Sequence, residues 1–271
     1  MTAHTSGTIL NAANVSIVFG GLRAVSNFNC ALERGVLAAL IGPNGAGKTT
    51  LFNMLSGVYA PTSGEITFTR ANGQTIRAAG QSPARLAQNG IARTFQNIRL
   101  FGNLTALDNV RIALHASRAI TPVEAVFRLP RFFRDEARQS AEAEGLLELF
   151  RMRNKTGELA KNLPYGEQRK LEIARALALK PELLLLDEPA AGMNPQETRE
   201  LMALITRIRQ EFSVTILLIE HDMHLVMGIC ERLFVLDYGA LIASGTPDEI
   251  RRNPDVIRAY LGAEAEVALS C

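Results

Sequence analysis

Residues Gly42–Thr50 read GPNGAGKTT and fit the pattern G-x-x-x-x-G-K-[ST], with a second threonine behind it. This stretch constrains the chain most, because it works only as a loop between a strand and a helix. Gly42, Gly45 and Gly47 let the backbone wrap closely around an anion, where a Cβ would clash or forbid the required φ. Pro43, Asn44 and Ala46 fill the positions between them. The loop N–H groups and the positive end of the following helix form a nest for a polyphosphate. Lys48 is placed to reach the β- and γ-phosphates, and the Thr49 hydroxyl, with Thr50 next to it, to ligate Mg²⁺. The flanks agree. VLAALI (Val36–Ile41) is the continuous apolar run of a buried parallel strand, and Lys48–Ser56 reads as a helix ended by Gly57.

The chain has 271 residues, enough for one large domain or two modest ones, and 47% of them are hydrophobic, enough for a full core. A net charge of +2 gives no electrostatic case for nucleic acid. Cys30, Cys230 and Cys271 show no metal spacing and cannot all pair, which suggests a reducing compartment. The stretch MTAHTSGTIL lacks the basic and apolar regions of a signal peptide. The apolar runs fall far short of the ~20 residues of a membrane span, so membrane association is expected only through a partner.

Ile9–Phe19 and Ala24–Leu32 read as strands joined at Gly20-Gly21. Phe19 has two readings on residues alone, core packing or stacking on a nucleobase. Gly64–Thr69 alternates like a strand, and Asn72-Gly73 turns it back into Gln74–Arg77. Ser82 caps a short helix ending near Asn89, with Gly90 after it. Ile91–Phe95 reads as a strand that delivers Gln96 to its carboxyl end, where ligands of open α/β sheets bind. From Leu104 to Asn162 helical periodicity takes over. Within it, Val123–Arg138 mixes Phe127, Phe132 and Phe133 with Arg128, Arg131 and Arg134. A helix hairpin with solvated arginines is favoured there over a membrane or partner contact.

Leu163–Gln168 (LPYGEQ) precedes a predicted helix, Arg169–Leu179. Gly166 at that helix start lets a second anion approach backbone N–H groups. Leu183–Leu186 is a buried strand ending in Asp187, Glu188 and Pro189. Asp187 would hold Mg²⁺, and Glu188 would orient or deprotonate an attacking water. Pro195–Phe212 is an amphipathic helix, and Val214–Ile219 is another apolar strand, ending in Glu220, His221 and Asp222. His221 at that strand end is read as a γ-phosphate contact, whereas His224 is expected to face solvent or the next helix. His4 and His115 suggest nothing. A hairpin follows around Tyr238-Gly239, then a capping box at Thr246–Glu249, a short helix from Asn253-Pro254 to Gly262, and a loose tail.

Phosphate loop, Gln96, LPYGEQ, LLLLDEP and His221 in this order resemble the nucleotide-binding subunit of an ATP-binding cassette (ABC) transporter, over about Ile9 to Gly262. RTFQN (Arg93–Asn97), LPYGEQRKLEIARAL, AAGMNP (Ala190–Pro195) and VIRAYLG (Val256–Gly262) are similar to the LivG-type group, which energises import of branched-chain or other hydrophobic amino acids. The resemblance implies an α/β P-loop NTPase core with a mainly parallel sheet, an antiparallel β subdomain and an α-helical subdomain. It implies one cassette over 8–262, with 8–97 and 180–262 as core plus β subdomain, 98–179 as helical subdomain, and 263–271 as tail. Phe19 would then stack on adenine, and the loop from Gly42 would hold ATP. Thr49, Gln96 and Asp187 would hold Mg²⁺, Glu188 would be the general base, and His221 would clamp the γ-phosphate. Tyr165, Gly166, Glu167 and Gln168 would close on the ATP of a second cassette, self or homologous, in a head-to-tail dimer. Integral-membrane permease subunits at the cytoplasmic face of the cell membrane are the implied partners, with an external binding protein acting indirectly. Pro164 stands where the family usually has Ser, and Asn194 where it usually has Asp. Related cassettes for urea or amides, aromatic acids or lipid export share the same motif chemistry. A soluble ABC ATPase acting on ribosomes or DNA is disfavoured, since there is one cassette and no sustained heptad pattern.

Overall fold

A computed structural model describes residues 7–116 and 130–260, with the side chains of 130–134 and 224 left out. Most of the Val123–Arg138 segment, with its phenylalanines and arginines, lies outside the described residues. So do the His224 side chain, His4, Cys271, Gly262 and the 263–271 tail.

Runs such as LAALI, LLLLD and TILLI carry no polar face, so each must be covered on both sides. They form β3 (Leu37–Ile41), β7 (Leu183–Asp187) and β8 (Thr215–Ile219), every residue of which is buried. With β6 (Ile91–Arg93), β9 (Arg232–Asp237) and β10 (Ala240–Gly245) they build a six-stranded sheet in the order β10-β9-β3-β8-β7-β6. All neighbours are parallel except the β9–β10 hairpin. Alternating strands behave differently. β1 (Thr8–Phe19), β2 (Leu22–Glu33), β4 (Ser63–Thr69) and β5 (Thr75–Arg77) make an antiparallel sheet ordered β2-β1-β4-β5.

Two apolar clusters hold these layers. One joins the antiparallel sheet to one face of the parallel sheet and to α1 (Lys48–Leu55), through Phe28, Phe52 and Phe68. The other joins the opposite face to α3 (Ala106–Ala116), α4 (Pro130–Leu149), α5 (Tyr165–Ala178) and α6 (Pro195–Phe212). The remaining helices are short: α2 (Pro83–Gln88), α7 (Met223–Ile229), α8 (Pro247–Arg251) and α9 (254–260). Ser82 caps α2, and Thr246 with Glu249 forms a capping box on α8. No helix among the described residues is long and apolar enough to cross a membrane.

Two of the boundaries that move bear on the site. The expected Arg169–Leu179 helix starts at Tyr165, because Pro164 serves as N-cap residue and its carbonyl accepts from Glu167 and Gln168. Gly166 therefore lies inside the first turn. The expected Ile91–Phe95 strand ends at Arg93, although the Thr94 N–H still reaches the Leu185 carbonyl at 2.9 Å. As the edge strand, β6 has one neighbour only, so it can leave the ladder there and turn Gln96 toward β7.

Candidate functional site

The site grows from the carboxyl ends of the parallel strands. β3 runs into the loop at Gly42, whose φ of 150° and lack of a Cβ are both required, since a Cβ would collide with the Leu236 carbonyl. Gly45 and Gly47 also have positive φ, at 80° and 93°. The Lys48 ammonium donates to the carbonyls of Gly42 (2.7 Å) and Pro43 (2.8 Å), so it lies across the mouth of the loop. Burial pushes the Lys48 pKa down, and the nearby Glu188 charge opposes that shift. Thr49 and Thr50 follow in the first turn of α1. A cavity of about 560 Å³ lies on the outer side of the loop, between Pro43–Ala46, Tyr238 and residues Asp255 and Arg258 of α9.

β7 ends in the acidic pair. Asp187 is buried and bonds Arg93 at 3.0 Å. Burial raises the Asp187 pKa, and the Arg93 guanidinium pulls against it. Arg93 also donates to Asn53 at 2.7 Å and lies over the rings of Phe52 and Phe95. Glu188 adopts φ 44°, a left-handed backbone that costs a non-glycine residue about 1–3 kcal/mol, and its N–H is pinned by the Ile219 carbonyl at 3.1 Å. The strained turn separates the two carboxylates. Asp187 stays in the strand against Arg93, while Glu188 receives the Gln96 amide at 3.1 Å.

β8 ends in Glu220 and His221. Glu220 is buried, accepts the Ala190 N–H at 3.0 Å, and has its pKa raised by burial. It thus ties the loop after the acidic pair to the turn that presents His221, whose side chain is 65% exposed. Phe19 is also no core residue. It is 44% exposed and meets Tyr59 edge-on, centroids 5.4 Å apart.

The first turn of α5 carries Tyr165, Gly166, Glu167 and Gln168, with no side-chain cap. The Gln168 amide donates to the Leu163 carbonyl at 2.7 Å, and Glu167 pairs with Lys155 at 2.6 Å. The Tyr165 ring lies over Gly192, in the loop that follows the acidic pair, and Met193 and Glu197 lie beside Gly166. Asn194 caps α6 through the N–H groups of Gln196 and Glu197, a role its amide oxygen fills as a carboxylate would.

The structure therefore brings Lys48, Gln96, Asp187 and Glu188 to one edge of the parallel sheet. The side-chain oxygens of Gln96, Asp187 and Glu188, Asp187 being buried, fit a hard divalent ion that draws its other ligands from phosphate and water, while the Lys48 ammonium fits phosphate oxygens. Among the described residues, no group of three or more His, Cys, Asp or Glu could hold a metal without such help. Arg93, Tyr59, Arg169 and Glu172 received no role from sequence reasoning. For Arg93 the only signal was its place in RTFQN.

Residues 25–191 match the family model described as ABC transporter. The chain belongs to the ABC transporter family. It is an ABC-type ATPase, an ATP-binding cassette. A second family model, for the branched-chain amino acid ATP-binding cassette transporter, matches residues 240–266. BraF of Pseudomonas aeruginosa, a high-affinity branched-chain amino acid transport ATP-binding protein, is 46% identical to the cassette over 257 residues, covering 95% of this chain and 99% of BraF. LivG of Escherichia coli, of the same description, gives the same identity and coverage. The lipopolysaccharide export ATP-binding protein LptB of Haemophilus influenzae is 31% identical over 95% of this chain and 98% of LptB. Among solved structures, an ATP-binding cassette of an ABC transporter in its ADP conformation superposes with a TM-score of 0.79 at 27% identity, over 94% of this chain and 99% of that one. A nucleotide-free cassette gives 0.78 with the same identity and coverage.

Proposed function

We propose that this cassette hydrolyses ATP to energise an importer of branched-chain amino acids. The observation that carries the reading is the 46% identity to BraF and LivG, which spans 95% of the chain. The match at 240–266 to the branched-chain model supports it from a separate segment.

In this reading Phe19 stacks on adenine, with Tyr59 fixing the ring edge-on. The loop from Gly42 to Thr50 holds the phosphates, and Lys48 exchanges its two loop carbonyls for β- and γ-phosphate oxygens. Thr49, Gln96 and Asp187 hold Mg²⁺, which supplies neutralisation of phosphate charge. Glu188 accepts the proton of the attacking water, Gln96 orients Glu188 and that water, and His221 reaches the γ-phosphate from the β8 turn. The Tyr165–Gln168 turn closes on ATP bound to a second cassette, its N–H groups acting where Pro164 supplies no hydroxyl. ATP favours the closed dimer and hydrolysis releases it, a population shift driven by differential affinity. The second cassette is a homologous partner or a copy. Permease subunits dock on the helical part, 98–179, and hold the cassette peripherally at the cytoplasmic face of the membrane. Residues 8–97 and 180–262 form the core and β subdomain, 263–271 the tail, and the binding protein delivers the amino acid from outside.

The test is uptake of labelled leucine in cells lacking this chain, complemented with wild type or Glu188→Gln. Rescue by wild type alone is expected. Normal leucine uptake in the deleted cells would remove the substrate assignment, and rescue by Glu188→Gln would remove the general base.

A further inference from the structure

Arg169 is completely buried, yet it belongs to none of the roles above. It sits one turn into α5, behind Gly166. One amino group donates to the Phe95 carbonyl at 2.7 Å and to Glu172 at 2.9 Å. The other donates to the Gln96 carbonyl at 2.8 Å and to the Tyr165 hydroxyl at 3.1 Å. Glu172, 2% exposed, accepts the N–H groups of Phe95 at 3.4 Å and Arg99 at 3.2 Å with its other oxygen. The backbone on both sides of Gln96 is thus bolted to α5 by one buried ion pair. The Phe95 ring also carries the guanidinium groups of Arg93, 4.8 Å from its centroid, and Arg99, 4.0 Å from it.

A buried Arg–Glu pair is weak evidence of stabilisation, since apolar residues of similar volume often serve as well. This pair spends its hydrogen bonds on backbone atoms of one loop, in a planar fork that fixes orientation as well as distance. We propose that Arg169, held by Glu172 and Tyr165, is the positioning residue that sets Gln96 against Glu188 and makes Gln96 move with the Tyr165–Gln168 turn. Resting on the two-cassette reading above, this gives the chain an internal lever. The turn that meets the partner's ATP and the glutamine that serves its own ATP are carried by one rigid element. Closure at one site then sets the geometry at the other.

The test is a double-mutant cycle on ATP turnover by the assembled transporter in proteoliposomes, with ATP affinity measured on the same variants. Arg169→Gln should lower kcat between about tenfold and hundredfold, the range set by small misplacement of a catalytic group, while the Kd for ATP stays within about twofold. Gln96→Ala should lower kcat as well. Because Arg169 acts through Gln96, the double variant should turn over no more slowly than Gln96→Ala alone. Arg169→Lys, which keeps the charge without the fork, should fall between wild type and Arg169→Gln and serves for the cycle where Arg169→Gln fails to fold. Wild-type kcat in the Arg169 variants, or losses that multiply with Gln96→Ala, would overturn the inference. Wild-type turnover in Gln96→Ala would overturn instead the site reading beneath it.

Discussion

Replacing Arg93 by methionine tests the electrostatics of the acidic pair most directly. The Arg93 and Asp187 side chains are only 9% and 3% exposed and meet at 3.0 Å. Removing one partner of such a pair strands a buried charge and costs about 3–5 kcal/mol. Methionine retains apolar contact with Phe52 and Phe95, so little of the loss comes from packing. At about 2–4 °C per kcal/mol for a chain of this size, the nucleotide-free protein should melt about 6–20 °C lower. The diagnostic step is the second substitution. Asp187→Asn neutralises the stranded carboxylate, so Arg93→Met/Asp187→Asn should recover at least half of that loss. The assay is thermal unfolding of the four proteins at one scan rate without Mg²⁺ or nucleotide. A shift under about 2 °C for Arg93→Met, or two losses that simply add, would refute the claim that Arg93 works by pairing Asp187.

Lys48→Ala should weaken ATP binding about tenfold to a hundredfold, since a charge-assisted hydrogen bond contributes about 1.5–3 kcal/mol; titration with ATP in the absence of turnover reads this. Glu220→Gln keeps an acceptor for Ala190 without a charge to bury. The folded-state pKa of Glu220 is raised, so the native state holds its proton longer than the unfolded chain, and wild-type stability falls as pH rises through that value. The variant should therefore melt higher than wild type at pH 8, with the gap closing below the ordinary glutamate pKa; a gap that widens on acidification would contradict the sign.

What the sequence makes legible is what short-range chemistry decides. The Gly42–Thr50 loop needs glycines at fixed positions. β3, β7 and β8 are apolar along their length, apart from Asp187 at the end of β7 and Thr215 at the start of β8, because both faces are covered. The caps at Ser82 and Thr246 act within one turn. α5 starts four residues before the predicted Arg169, because Pro164, Tyr165 and Gly166 read as a loop by propensity, while a proline N-cap and a glycine in the first turn are compatible with a helix whose early N–H groups have no partner in any case. The order of motifs carried the family, since the sheet gathers its strand ends at one edge whatever lies between them.

The residues that stayed silent are those whose partners are remote in sequence. Arg93 meets Asp187 across 94 residues, and Arg169 meets the Phe95 carbonyl across 74. In LPYGEQRKLEIARAL both Arg169 and Glu172 look like the solvated side of an amphipathic helix, at the i,i+3 spacing of an ordinary surface pair. Only the sheet order decides otherwise. Because β6 lies at the edge beside β7, the chain that leaves it must cross α5, and the side of α5 it crosses is the one bearing Arg169 and Glu172. Burial then converts a surface pattern into a fixed joint. The same topology that gathers the site thereby creates the contacts that hold it, and a single sequence records the first through its motifs while leaving the second unmarked.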